Sequence, residues 1–123
     1  MKIEGKSIRA FIGAKNFTIS RDFYTYLGFI EITISPIMSY FYKGEFGFYL
    51  QDAYVKDWVD NSMLFFEVTD VQSTLEYMQS LQLKDKYKNV RLSDIVYNDW
   101  GNEFFLHDPS GILWHFGSFN AKE

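Results

Sequence analysis

An internal repeat constrains the fold of this chain more than any other feature of its sequence. The segment that begins at Ala10 can be aligned without gaps on the segment that begins at Leu64. The alignment pairs similar residues, namely Phe11 with Phe65, Ile12 with Phe66, Asn16 with Asp70, Phe23 with Tyr77, and Leu27 with Leu81. Both copies have a short apolar strand, an Asn or Asp, and then an amphipathic helix. The repeat therefore predicts a duplicated structural unit.

The first helix is predicted from apolar residues that recur every four positions. Ile19, Phe23 and Leu27 form this stripe, and the polar run 20–22 (Ser-Arg-Asp) lies on the opposite face. Gly28 is suited to end the helix. In the second copy the stripe consists of Val71, Leu75 and Met78, and Asp70 is placed to cap the first free backbone N–H groups.

Strand-like segments follow each helix. We expect strands at 30–34, 40–42 and 46–50 after the first helix, and at 95–97, 103–106 and 113–116 after the second. The residues Asp-Pro-Ser-Gly at 108–111 predict a type I turn, and the segments 52–61 and 84–89 are expected to be loops. The pattern indicates an α+β protein with two β-α-β-β-β modules, forming one domain over 1–123 with repeats at about 7–51 and 61–119.

Two such modules set side by side can curve their mixed sheets around a shared cleft, and ligands bind where such halves meet. Phe11 and Phe65 hold matched positions in the repeat. Either both face this cleft or each packs under its own helix. The aromatic content, 20% of the chain, also suggests a large apolar cleft or an interface, although an aromatic-rich core would account for it as well.

Composition excludes several classes of protein. The absence of cysteine rules out disulfide scaffolds, thiolate zinc sites and cysteine nucleophiles, and it fits a cytoplasmic location. The net charge of −4 disfavours nucleic acid as a partner and favours a cationic ligand. No apolar stretch approaches the ~20 residues of a membrane span, so we expect neither a signal peptide nor a membrane partner.

Two motifs resemble those of the vicinal oxygen chelate superfamily, which includes glyoxalase I, extradiol dioxygenases and bleomycin-resistance proteins. They are N-F-T-I-S-R-D-F-Y-T-Y-L-G-F at 16–29 and W-G-N-E-F-F-L-H-D-P-S-G-I-L-W-H-F at 100–116. The second motif is most similar to the bleomycin-resistance branch, as is the triplet Asp60-Asn61-Ser62. The resemblance covers about 7–116 and implies the superfamily's two-module fold.

The resemblance also places the superfamily's metal ligands, and these positions are altered. The ligand positions fall on Arg9, on 49–51, on Met63 and on His115. Arginine cannot give up its proton to become a ligand, and a methionine thioether is too soft for Mg²⁺, Mn²⁺ or Zn²⁺. We therefore expect no metal, no cofactor and no catalytic residue. Arg9 in a cleft would need a carboxylate such as Glu67, or the ligand, to neutralise it.

Bleomycin-resistance proteins bind the drug as homodimers and perform no chemistry, so the resemblance implies a metal-free binding protein. Such a protein would hold a planar-aromatic, cationic, glycopeptide-type antibiotic in an aromatic cleft. The candidate ligand-binding residues are Phe11, Met38, Asp60, Asn61, Ser62, Met63, Phe65, Trp100 and His115. Asp99 is a further acidic candidate. His115 either touches ligand or is satisfied by a neighbouring acceptor, and Trp58 is either a dimer contact or a loop anchor.

Two departures from the bleomycin-resistance pattern leave the identity of the ligand open. Ile112 replaces the Asn that usually follows the turn glycine, and Phe65 is a smaller stacking surface than the family's Trp. The alternative function is that of a metal-dependent glyoxalase- or dioxygenase-type enzyme acting on a small substrate. A structural dimer whose own Phe and Tyr side chains close the cleft is a third possibility.

Overall fold

The two repeats fold into two sheets joined through one core. A computed structural model describes residues 2–121; Met1, Lys122 and Glu123 lie outside the described residues. The elements in chain order are β1 (Ala10–Gly13), α1 (Phe17–Leu27), β2 (Ile30–Ser35), β3 (Met38–Lys43), β4 (Phe46–Gln51), α2 (Lys56–Asn61), β5 (Met63–Glu67), α3 (Val71–Ser80), α4 (Leu83–Lys86), β6 (Arg91–Leu92), β7 (Val96–Tyr97), β8 (Gly101–His107) and β9 (Leu113–Phe119).

The two sheets have the same topology. The first sheet has the strand order β1-β4-β3-β2, and the second has the order β5-β9-β8-β6, with β7 also paired to β8. In each sheet the first strand of the module runs parallel to its last strand, β1 with β4 and β5 with β9. The other pairings are antiparallel. The predicted α+β class with two β-α-β-β-β modules is confirmed.

Helix α1 has the predicted ends, and it buries Phe23 and Leu27 of the predicted stripe but not Ile19. The Asn16 side chain accepts a hydrogen bond from the Ile19 N–H, and Gly28 ends the helix with φ of +107°. Ile19, expected in the core, is 44% exposed, whereas Ser20, expected outside, is fully buried. The Ser20 hydroxyl lies 3.4 Å from the hydroxyl of Ser110. A small residue is needed at position 20 because α1 packs against the 108–111 turn of the other module.

Two segments expected to be loops contain short helices. Helix α2 occupies part of 52–61 and buries Val59, and helix α4 covers the first residues of 84–89 and buries Leu83, just before that segment. Each of these helices anchors itself through one fully buried apolar residue. Helix α2 has six residues and α4 has four, and helices this short cannot show the 3.6-residue periodicity from which helices are predicted. In the second helix of the repeat, Val71, Leu75 and Met78 are buried as expected.

The core lies between the sheets and draws on both modules. Ring centroids of Phe48 and Trp114 are 5.2 Å apart, and those of Phe29 and Phe66 are 6.1 Å apart. Because side chains alternate along a strand, the residues next to these core positions lie on the opposite, open face of each sheet. Many of those residues are exposed, including Phe11 and Phe65. No helix within residues 2–121 is long and apolar enough to cross a membrane.

Candidate ligand-binding site

The open face of the second sheet carries three aromatic side chains that touch one another. Phe65 on β5, Trp100 before β8 and Phe119 at the end of β9 have ring centroids 5.2–5.9 Å apart. We call these three residues the aromatic cluster. Phe65 is 44% exposed, Trp100 39% and Phe119 58%. The three rings therefore contact one another, and each still exposes part of its surface to solvent.

Backbone contacts hold the aromatic cluster in place. The N–H of Asn120 donates to the carbonyl of Trp100 at 2.8 Å, and its side-chain amide donates to the carbonyl of Asp99 at 2.7 Å. These bonds attach the end of β9 to the segment that carries Trp100. Gly117 lies under the cluster, and a Cβ there would come within 2.9 Å of the Phe65 ring. Because Gly117 has no Cβ, the Phe65 ring has room to lie over it.

His115 lies beside the aromatic cluster and is held by a buried carboxylate. Its Nδ1 is 2.7 Å from Glu103 Oε1, and the amide of Asn98 donates to Glu103 Oε2 at 2.9 Å. Its Nε2 is 3.2 Å from the Met63 sulfur. The His115 ring is nearly parallel to that of Phe65, with a centroid separation of 6.2 Å. His115 therefore has an acceptor partner and also borders the cluster.

The open face of the first sheet is aromatic as well. Phe11 stacks on Tyr49 with centroids 4.8 Å apart, and the Arg9 guanidinium lies 4.2 Å from the centre of the Tyr40 ring. Arg9 also donates a 3.0 Å hydrogen bond to the Tyr49 hydroxyl, which raises the pKa of Arg9. Glu67, named above as a carboxylate that could neutralise Arg9, forms no ion pair with it. The exposed guanidinium instead makes a cation–π contact with Tyr40 and a hydrogen bond to Tyr49.

The remaining candidates divide between two places. Met38 begins β3 and alternates with Tyr40, which puts it on the open face of the first sheet. The triplet at 60–62 belongs to the end of α2. There Asp60 binds Lys56 at 2.7 Å, Asn61 donates to the carbonyl of Asp57 at 2.7 Å, and Ser62 donates to the carbonyl of Trp58. Trp58 itself is 72% exposed on the same helix.

The structure therefore brings together Met63, Phe65, Trp100 and His115, and it places Phe11 and Met38 on the other sheet. Sequence reasoning missed Phe119 and Glu103, which complete the site. Phe119 lies beyond the end of the family motif. It follows His115 by four residues, so the two side chains lie on the same face of a continuous strand. A prediction that extended this strand from 113–116 to residue 119 would have found Phe119. Glu103 could be found only from its pairing with β9, where it lies opposite Gly117.

The positions that hold a divalent metal in the superfamily do not suit one here. Arg9 packs on tyrosine rings, and Met63 and His115 offer one thioether and one imidazole. Within residues 2–121, no group of three or more His, Cys, Asp or Glu side chains is placed to hold an ion. Hard divalent cations require several oxygen ligands, so this donor set does not fit them.

A cavity lies at the seam between the modules. It has a volume of about 320 Å³, and Phe65 and Glu67 are among the residues that line it. Its apolar walls come from both modules, from Phe46 and Phe48 on β4, Leu64 and Phe66 on β5, and Trp114 on β9. The cavity is at the lower end of the size range of small-molecule sites. It extends the aromatic cluster toward the core.

Comparison with known proteins identifies the fold only through structure. No family model matches the sequence, and no curated protein matches it significantly. A bleomycin-binding protein from bleomycin-producing Streptomyces verticillus, solved with copper(II)-bleomycin, superposes with a TM-score of 0.80 at 17% identity. The match covers 97% of this chain and 100% of that protein.

Two further structures have the same architecture. The bleomycin resistance determinant of transposon Tn5 matches with a TM-score of 0.78 at 14% identity, over 94% of this chain and 99% of the determinant. A lactoylglutathione lyase from Agrobacterium tumefaciens matches with a TM-score of 0.68 at 14% identity, over 93% of this chain and 94% of the lyase. The chain thus has the glyoxalase/bleomycin-resistance fold, as the sequence motifs predicted.

Proposed function

We propose that this chain is a non-enzymatic binding protein that sequesters a planar-aromatic, cationic small molecule of the bleomycin type. The ligand would be held without a metal or cofactor, in an aromatic cleft of a homodimer. We expect the protein to act in the cytoplasm, with no nucleic acid or membrane as partner.

The observation that carries this proposal is the aromatic cluster on the open face of the second sheet. Trp100, Phe65 and Phe119 expose ring surface between 39% and 58%, so a planar ligand can stack on them. The carboxylates of Glu67, which lines the adjoining cavity, and of Asp99, next to Trp100 in sequence, can attract a cationic group. The net charge of −4 adds to this attraction.

The donor chemistry argues against the alternative, a metal-dependent enzyme of the glyoxalase or dioxygenase type. That activity needs a divalent ion held by several hard ligands. In this chain one expected position is an always-cationic arginine whose guanidinium packs on Tyr40, and another is the thioether of Met63. A binding role needs none of these ligands.

Exposed apolar surface supports the homodimer. Phe11 is 58% exposed on the first sheet, and Met63 is 65% exposed on the second. On the outer strand β2, Ile30, Ile32 and Ile34 are each about half exposed. Large apolar side chains exposed on the open faces of both sheets are typical of surfaces that interact with a partner. A second copy that covers these faces would also enclose the aromatic cluster and so complete the cleft, to which Phe11 and Met38 would then contribute.

The test is a titration of chelator-treated protein with metal-free bleomycin, followed by tryptophan fluorescence and calorimetry. We expect saturable binding with Kd of about 1 μM or tighter, a free energy of about −8 kcal/mol. Trp100→Ala should weaken binding at least tenfold. Tyr77→Ala removes an exposed aromatic side chain from helix α3 and is the matched control, which should bind as the wild type does.

Three outcomes would contradict the proposal. The wild type could fail to bind the drug, or Trp100→Ala and Tyr77→Ala could lose affinity equally. Alternatively, manganese, nickel or zinc could give a stoichiometric heat where the drug gives none, and this result would favour the enzyme. Light scattering of the same samples tests the dimer separately.

A further inference from the structure

We propose that a groove between helix α1 and the second module binds a small organic molecule through its phosphate group. This inference goes beyond the proposed function, which places its ligand on the open faces of the two sheets. None of the residues that line the groove lies on a strand or belongs to the aromatic cluster. The groove is therefore a separate site with a different chemistry.

The groove is formed by three segments that are distant in the sequence. They are the start of α1 with the residues before it, the end of α4 with the loop that follows, and the turn at 108–111. The backbone N–H of Lys15 donates a 2.8 Å hydrogen bond to the Ser110 hydroxyl, which fixes two of these walls against each other. The volume of about 740 Å³ is that of a small-molecule site. A ligand in the groove would contact both modules.

The groove is positively charged in a chain that is negative overall. Three lysines, Lys15, Lys86 and Lys88, line it together with one carboxylate, that of Asp22. Three positive charges against one negative charge leave an excess of two, whereas the whole chain has a net charge of −4. A cleft lined mainly by one sign of charge concentrates ions of the opposite sign. The groove therefore favours an anion.

The one carboxylate of the groove is already engaged. Asp22 accepts a hydrogen bond from the hydroxyl of Tyr87, and Lys86 Nζ lies 3.9 Å from the same Asp22 oxygen. Lys86 is also held over the Tyr26 ring, with its Nζ 4.0 Å from the ring centre. Among residues 2–121, neither Lys15 nor Lys88 forms an ion pair. These two ammonium groups are therefore available to an anionic ligand.

The charge and the shape of the groove together indicate the class of ligand. Lysine binds phosphate as a point charge, and a phosphate monoester carries about −2 at neutral pH, which matches the excess of the groove. A phosphate group alone would leave most of the volume empty. Ile19 is 44% exposed and lines the groove with Pro109, so an apolar or planar part of the ligand can pack there. Ile19 is thus exposed at a position where it can contact ligand.

The experiment is a calorimetric titration of the protein with adenosine monophosphate at low ionic strength. We expect one molecule to bind per chain with Kd of about 0.1 mM or tighter. Adenosine has no phosphate and should give no saturable heat. Inorganic phosphate has no apolar part and should bind at least tenfold more weakly than adenosine monophosphate. Added salt should weaken the binding, because the lysines are at the surface.

A pair of double variants separates the groove from the net charge of the chain. Lys15→Gln combined with Lys88→Gln removes the two available ammonium groups and should weaken binding at least tenfold. Lys6→Gln combined with Lys84→Gln makes the same change in net charge at lysines that do not line the groove, and it should bind as the wild type does. Circular dichroism would confirm that both double variants are folded.

Three results would overturn the proposal. Adenosine monophosphate could give no saturable heat with the wild type, or the two double variants could lose affinity equally, which would make net charge the cause. Inorganic phosphate could also bind as tightly as adenosine monophosphate, and this would exclude an organic ligand that packs on Ile19. The bleomycin titration uses none of these residues, so the two proposals fail independently.

Discussion

Tyr24 in helix α1 donates a 2.6 Å hydrogen bond to Asp108, which lies 84 residues later in the turn between β8 and β9. Both side chains are fully buried. The Tyr24 hydroxyl also accepts from the Trp114 indole at 2.9 Å. The other oxygen of Asp108 accepts from the backbone N–H groups of Ser110, Gly111 and Ile112. The helix of one module is therefore attached to the turn of the other.

Tyr24→Phe should destabilise the protein by about 1–3 kcal/mol, because it leaves the Trp114 N–H and the Oδ2 atom of Asp108 each without a buried partner. The free energy of unfolding from urea titrations would measure the loss. Tyr97→Phe is the control, since Tyr97 is 74% exposed. A change in the control as large as that in Tyr24→Phe would contradict the role assigned to this bond.

Stability should fall at alkaline pH in part because of Tyr24. Burial and the neighbouring Asp108 carboxylate raise the pKa of Tyr24 well above its usual value. As pH rises above about 10, the unfolded chain loses this proton while the folded chain keeps it, so the free energy of unfolding falls with a limiting slope of about 1.4 kcal/mol per pH unit. Burial and the hydrogen bond to Asp22 likewise raise the pKa of Tyr87.

In Tyr24→Phe the free energy of unfolding should fall less steeply with alkaline pH. The slope should be smaller by up to about 1.4 kcal/mol per pH unit, the contribution of one proton. Urea titrations of the wild type and the variant across the alkaline range would measure it. Parallel curves for the two proteins would show that Tyr24 does not contribute.

Gly117→Ala should disturb the aromatic cluster. Its new Cβ would come within 2.9 Å of the Phe65 ring and 3.0 Å of the Asn102 carbonyl oxygen, so the ring must move. We expect a loss of about 1–3 kcal/mol in stability from overpacking and at least tenfold weaker bleomycin binding. Thermal unfolding and the calorimetric titration would report the two effects. Gly5→Ala is the control, because a Cβ at Gly5 meets open space; equal affinities for the two variants would argue against stacking on Phe65.

Ile32→Glu should prevent the proposed homodimer. Ile32 is 47% exposed on the outer strand β2, between Ile30 and Ile34, which are equally exposed. A carboxylate buried at the dimer interface without a partner would cost more free energy than the contact of Ile32 contributes. Light scattering should give a dimer mass for the wild type and a monomer mass for the variant. Gln79→Glu adds the same charge on the outer face of α3 and should remain dimeric; a monomeric control would make net charge the cause.

Several features could be predicted from the sequence because their physical cause is local. Asn16 and Asp70 accept hydrogen bonds from backbone N–H groups two or three residues away. Gly28 adopts the left-handed conformation that ends α1, and the turn at 108–111 is closed by a bond from Gly111 to Asp108. Such interactions depend only on neighbouring residues, so the residue types specify them. The repeat added the duplicated order of elements along the chain, whereas the pairing of the first strand of each module with its last is a finding of the structure.

The remaining features depend on segments that are distant in the sequence. Ser20 is buried because α1 meets Ser110, and no periodicity within the helix indicates that neighbour. His115 reaches Met63 and Glu103 because parallel and antiparallel pairings on either side of β9 set its register. Thus the residue sequence by itself determined the helix ends, the turn and the duplicated topology through short-range hydrogen bonds and apolar patterning. Only the tertiary structure decided which side chains meet on the open faces, because strand register and module packing place residues together from different parts of the chain.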